Sequence, residues 1–216
     1  HFGQNHYIAP QKPWSGNGAY HDFGYEDDEM LVFGGDDGDC MQLKVGDPID
    51  VTLLWDDWGP DPANPTSSND YDLELLRYHE GIFFSGWLIA EESADAQDGS
   101  QAPIERLVGT INTDGCYALS IYNYSASGNE TLQIFSYFWP LHVKAIKPER
   151  SVVSPCVAEG AICVGVTDVG RQLRAYSSRG PSTPNEASGL SIDKPDLVAP
   201  DGVSTVSVGA NTAFLS

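Results

Sequence analysis

Six oxygen-bearing side chains crowd one short stretch of this chain: Asp56, Asp57, Asp61, Asn69, Asp70 and Asp72. Carboxylates this dense repel one another unless a cation or water lies between them. Hard oxygen ligands on a loop suit Ca²⁺, which takes about six to eight of them. Asp56, Asp57, Asn69, Asp70 and Asp72 are therefore the candidate calcium ligands, and calcium is the cofactor expected. The alternative is a solvated acidic loop in which Asp72 is bonded to loop amides. A second acidic cluster, Gly34–Asp39, occurs once and reads better as a hairpin turn. His1, His6, His21, His79 and His142 show no metal-ligand spacing, and Asp98 and Glu105 are a carboxylate pair in sequence only. General acid–base chemistry needs a pocket around such a pair.

Four cysteines allow three pairings. Cys156 and Cys163 bracket a short loop, while Cys40 and Cys116 each open a strand-like run. Those pairs are the expected disulfides, in an oxidising, extracellular or cell-surface setting; four buried thiols are the alternative. Asn123-Tyr-Ser and Asn129-Glu-Thr match the glycosylation sequon.

The formal net charge is −20. From Ser151 onward there are six acidic and four basic residues, against 25 and seven before it. A boundary near Pro148–Ser151 separates two segments of different kind. So negative a field excludes nucleic acid and anionic membrane surfaces as partners. No apolar run approaches the ~20 residues needed to span a bilayer, so no membrane insertion is expected. The start at His1 reads as a cut from a longer protein.

The elements that must position these residues are mainly β. Residues 1–29, rich in Gly, Pro and Asn, read as an irregular lead-in. Ile49, Val51, Leu53 and Trp55 alternate with Asp50, Thr52 and Leu54, which puts an apolar face on one strand. Tyr117, Leu119 and Ile121 repeat the pattern. Further strands are expected at Met30–Phe33, Cys40–Val45, Asp72–Tyr78, Ile82–Ala90, Glu105–Ile111, Thr131–Phe138 and Leu141–Ala145, with turn signals between them. Residues 30–148 thus read as a jelly-roll-like β-sandwich. Trp14, Trp55, Trp58, Trp87 and Trp139, with Tyr78, Phe83 and Phe84, fill its core or, if exposed, grip sugars or peptide. Residues 149–216 offer only Ala161–Val166, Leu173–Tyr176 and Val206–Val208 as strands, too few for an independent core.

That last segment carries Ile162-Cys-Val-Gly-Val-Thr-Asp168, Ala175-Tyr-Ser-Ser-Arg-Gly-Pro181 and Lys194-Pro-Asp-Leu-Val-Ala-Pro200, in that order. These resemble the subtilisin-like (subtilase) serine proteases. The resemblance implies a partial α/β segment in which Ser177, Ser178, Arg179, Gly180, Pro181, Lys194, Pro195 and Asp196 are structural. Arg179 would hold loop carbonyls or a carboxylate, and Asp196 would be partly buried and bonded. None is a subtilase catalytic residue. The family's Asp, His-Gly-Thr and Gly-Thr-Ser motifs do not occur, His21-Asp-Phe-Gly24 is not His-Gly-Thr, and Ser216 is not the nucleophile. His1–Tyr7 looks like sequence following the family's Ala-Gly-Asn oxyanion block, so the chain is expected to be an interval between two catalytic blocks.

Val51–Asp56, Asn69–Leu75, Asp98–Glu105 and Gly115–Ile121 resemble the β-sandwich modules of pre-peptidase C-terminal and P-domain type. Here the module would be an insertion. The resemblances imply a non-catalytic piece of a secreted subtilisin-like endopeptidase, with the sandwich modulating substrate access or docking. The rest of the protease domain and a protein or peptide substrate would be its partners. The alternative is a carbohydrate- or protein-binding, or calcium-stabilised, module with an inactive protease-like tail and glycans as possible ligands.

Overall fold

The computed structural model describes residues 5–9, 17–24, 29–34, 40–61, 64–153, 155–158, 160–182 and 192–201. Alternation decides the architecture. In β5 (Pro48–Trp55) every second residue is buried, and Ile49, Val51, Leu53 and Trp55 are each at most 2% exposed. That strand is central to a four-stranded antiparallel sheet with β1 (His6–Ile8), β10 (Leu132–Ser136) and β8 (Ile104–Thr110), in the order β1-β10-β5-β8. The facing sheet is built on β9 (Gly115–Ser125) and β6 (Asp70–His79), with β7 (Gly86–Ser93) at the far edge. Along its other edge β9 pairs in turn with β4 (Gln42–Leu43), β3 (Leu31–Val32) and β2 (Ala19–Tyr20).

The inward residues of both sheets form one core. Leu132 and Ile134 join the β5 set, and Tyr71, Leu73, Leu75, Leu119 and Ile121 meet them from the other sheet. Trp55 and Tyr71 touch edge to face across the layers, ring centroids 5.4 Å apart. Two antiparallel sheets burying one face each make a sandwich. The lead-in, expected to be irregular, supplies β1 and β2 and places Tyr7, Ala9 and Phe23 in the core. Cys40–Cys116 joins the chain just before β4 to β9 across 76 residues, and Cys156–Cys163 closes a short loop.

Three strand expectations are corrected. Residues 82–85 form the turn before β7, because the β6–β7 ladder closes at the His79–Gly86 pair and the chain between must reverse. Leu141–Ala145 makes a single bridge, Leu141 to Phe33, and then turns. Leu173–Tyr176 likewise makes one bridge, from Leu173 to Thr167. Val206–Val208, Trp14 and Gly35–Asp39 of the second acidic cluster lie outside the described residues.

The expected α/β segment is not seen. Among the described residues after 149 there are two strands, β11 (Val164–Thr167) and β12 (Leu197–Pro200), paired in parallel, and no helix. The sequence between them, rich in Gly, Pro and Ser, has no 3.6-residue apolar period from which a helix could form.

Candidate functional site

The acidic stretch between β5 and β6 divides in two. At the β5 end the carboxylates are already bonded to the protein. Asp57 Oδ2 accepts hydrogen bonds from Ser67 Oγ (2.7 Å), Asn69 Nδ2 (2.8 Å) and the Ser68 N–H (3.3 Å). Burial alone would raise its pKa, but these donors together hold it below the usual carboxylate value. Asp56 Oδ1 accepts the Thr131 N–H at 2.6 Å, and Asn69 Oδ1 accepts the Ser127 N–H at 2.8 Å. Asp61 accepts from Asn64 Nδ2 at the exposed turn. One oxygen of each of these carboxylates is thus already bonded to the protein.

At the β6 end the arrangement differs. Asp72 and Glu74 share one face of the strand, since side chains alternate, and Asp70 stands at its start, where the pairing with β9 shifts register between Asp70 and Tyr71. Glu74 is satisfied: Ser120 Oγ donates to Oε2 at 2.6 Å, and Tyr20 Oη donates to Oε1 at 3.3 Å. Asp70 is 7% exposed, and its Oδ1 is buried without a hydrogen-bond partner. Burial pushes its carboxyl upward. Burial, together with the charges of Asp70, Glu105, Glu74 and Glu92, pushes Asp72 up to about 7.

Sequence reasoning left Glu105 without a role. It is 1% exposed on β8, in phase with Leu107, and accepts bonds from Ser93 Oγ, the Asp95 N–H (3.2 Å) and Gln97 Nε2 (2.6 Å). Burial nevertheless raises its pKa. The signal was present, because alternation with Leu107 already put Glu105 on the inner face. Asp98 is not brought to it; Asp98 Oδ1 accepts from Ser100 Oγ at the surface. Among the described residues no three His, Cys, Asp or Glu side chains stand together as a ready metal cage.

The histidines are structural in their surroundings. His6 is fully buried between Lys147 O and Gln133 Oε1, His21 meets Tyr7 Oη at 2.9 Å, His142 is buried beside Leu141, and His79 stacks on Phe84. The aromatics divide. Trp55 fills the core, Trp139 packs against it, and Trp87 packs on a smaller cluster. Phe83 is fully exposed and Ile82 98% exposed at the β6–β7 tip. Asn123 of the first sequon is buried and bonded to Ala126, whereas Asn129 is exposed.

The three C-terminal motifs meet at β11. Ser177 is fully buried and its Oγ accepts the Val166 N–H at 3.0 Å. Asp196 is exposed rather than partly buried, yet its Oδ2 accepts the Cys163 N–H and Lys194 Nζ, both at 2.7 Å. The Lys194 ammonium and the Cys163 amide hold that carboxyl below its usual pKa. Lys194 Nζ also donates to Ala161 O at 2.6 Å. Gly180 lies so close to Lys194 that an added Cβ would stand 1.8 Å from its carbonyl oxygen, so only glycine fits. The Arg179 N–H donates to Pro148 O and the Ser151 N–H donates to Arg179 O, both at 3.1 Å; the guanidinium stands 3.6 Å from Glu149. All these contacts hold backbone segments together, and none presents a nucleophile beside a base.

No protein-family model matches the chain, and no curated protein matches it. Among solved structures it is similar to the Clostridium perfringens CspB protease, at 17% identity and a TM-score of 0.52. The match covers 99% of this chain and 42% of that one, so the chain spans less than half of that protease's length. The likeness is one of fold.

Proposed function

We propose that this chain is a non-catalytic part of a secreted subtilisin-like serine endopeptidase, in which residues 30–148, with β1 and β2 of the lead-in added to their sheets, form an inserted sandwich that modulates substrate access or docking. One observation carries the reading. β11 and β12 are a two-stranded parallel pair that buries Val166 but leaves Val164 40%, Leu197 49% and Val198 52% exposed, with Ile162 just before β11 75% exposed. Parallel strands are stable when covered on both faces. Two strands, all that the described residues supply here, are a fragment of a larger sheet, and the partner that completes it is the rest of a protease domain. The subtilase-like motifs gathered around these strands, and the fold likeness to a protease more than twice as long, support the same reading. The two disulfides favour an extracellular location.

The purified chain should not cleave a general protein substrate such as casein. Peptide mapping of the secreted parent should find the family's oxyanion and nucleophile motifs on either side of this segment. Cleavage by the chain alone, or a parent lacking the Asp, His and Ser, would overturn the proposal.

A second reading, a protein-binding module, is favoured by the β6–β7 tip. Ser85 Oγ bonds both the N–H and the carbonyl of Gly81, and Phe84 packs on Gly86 and His79. The tip is held in shape while Ile82 and Phe83 project into solvent. A parent without catalytic residues would make this reading the leading one.

A further inference from the structure

The start of β6 gathers negative charge, with no ion pair to a cationic side chain among the described residues. The side chains whose charges act most strongly on Asp72 are four other carboxylates: Asp70, Glu105, Glu74 and Glu92. Two of them are accounted for, Glu74 by Ser120 and Tyr20, and Glu105 by Ser93, Asp95 and Gln97. Asp72 is half-buried and has no hydrogen-bond donor among the described residues.

A second, independent observation comes from loop 94–101, which runs past the start of the strand. Gln97 donates its backbone N–H to the Asp70 carboxylate and its Nε2 to Glu105, and is itself 2% exposed. Two side-chain oxygens remain buried without a donor among the described residues: Asp70 Oδ1 and Gln97 Oε1. Buried acceptors are normally satisfied. Oxygen atoms of net negative charge, with no nitrogen or sulfur ligand among them, are the donor set of Ca²⁺.

We propose that the start of β6 binds a calcium ion through the Asp70 and Asp72 carboxylates, with the Gln97 amide oxygen as the third protein ligand to be tested. This places the ion away from Asp56 and Asp57, whose bonded oxygens are taken by protein donors. No three carboxylates converge among the described residues, so water supplies much of the coordination shell. The affinity then belongs with weak extracellular sites, at a Kd of roughly 0.1–1 mM.

Terbium luminescence on the whole chain tests the site, because Tyr122 lies opposite Asp72 on β9 and can sensitise a bound lanthanide. The expected result is an emission that calcium displaces and chelator abolishes. Calcium at about a hundred times Kd should raise Tm by about 5–10 °C. Asp70→Asn, Asp72→Asn and Gln97→Ala should each weaken calcium binding about tenfold or more, while Asp57→Asn leaves it unchanged. If Asp70→Asn does not fold, Asp72→Asn at its half-buried position carries the test. No calcium-displaceable emission at 10 mM calcium (about ten times the weakest expected Kd), or a response that survives both aspartate substitutions, overturns the proposal. So does an Asp70→Asn variant that melts higher than a calcium-insensitive wild type, since a proton and not a metal would then satisfy Asp70.

Discussion

Asp57 and Asp61 are four residues apart and of one type, yet the structure gives them different work. Asp57 ties three consecutive residues, Ser67, Ser68 and Asn69, to the end of β5. Ser67 is 1% exposed and in turn accepts the indole N–H of Trp55 at 3.1 Å, so the carboxylate reaches the core through one hydroxyl. Removing it takes the acceptor from the Asn69 amide and the Ser68 N–H and leaves the buried Ser67 hydroxyl only Asn69 O. Asp57→Ala should therefore cost about 1–3 kcal/mol, whereas Asp61→Ala at the exposed turn should stay within about 0.5 kcal/mol. Urea denaturation of both variants decides it: equal, small losses would show that the Asp57 network contributes nothing. The density of acid in this stretch was legible in the sequence, but its division was not. Linear spacing does not reveal which side-chain oxygen meets a donor arriving from Ser127 (Asn69) or Thr131 (Asp56), about sixty to seventy-five residues away.

Strands and turns act through single residues placed where two of them meet. His6 on β1 lies fully buried beside Phe135 of β10, with Nδ1 2.5 Å from Lys147 O and Nε2 3.3 Å from Gln133 Oε1. The Lys147 N–H returns a bond to His6 O, and the next residue, Pro148, accepts the Arg179 N–H. One imidazole thus fastens the sandwich to the stretch of chain that bonds the C-terminal turn. Burial lowers its pKa, against the opposing pull of Lys147 O, Gln133 and Glu149. For a histidine with a depressed folded-state pKa, the unfolded chain binds the proton first. Stability is therefore complete above the unfolded pKa near 6.5 and declines as the pH falls below it, by at most about 1.4 kcal/mol per unit. Wild type should lose stability faster than His6→Gln between pH 6.5 and 5.5, a window above most carboxylate titrations. Parallel slopes in chemical denaturation across that window would remove His6 as the cause. His6 had no metal partner in sequence and so no visible role; its importance comes from Lys147, 141 residues away.

For the molecule as a whole, periodicity told most where one face is buried. The β5 and β9 alternation reads directly as the core, because a period of two cannot serve any other buried element. It told least where apolar residues cluster without being buried. Ile82–Phe84 resemble the beginning of a strand and form an exposed tip, and the described residues after 149 leave Ile162, Val164, Leu197 and Val198 exposed beside a two-stranded sheet. Net charge is the remaining property legible from composition, and it makes a prediction at this scale. Thirty-one acidic residues face eleven basic ones. Lys44, Arg106, Arg174, Arg179 and Lys194 are already committed to ion pairs. A folded chain of this length has a radius of gyration of about 17 Å. At 0.01 M salt the screening length is about 30 Å, so every carboxylate feels the others; at 0.15 M it is about 8 Å, and only neighbours interact. Repulsion raises the compact state more than the expanded one. Salt also weakens the ion pairs, but mostly exposed pairs contribute only about 0–1 kcal/mol each. The melting temperature should therefore rise as NaCl goes from about 0.01 to 0.15 M, measured with chelator present so that trace calcium is not read as screening. A melting temperature that fell over this range would mean that the five ion pairs outweigh the field of the whole chain.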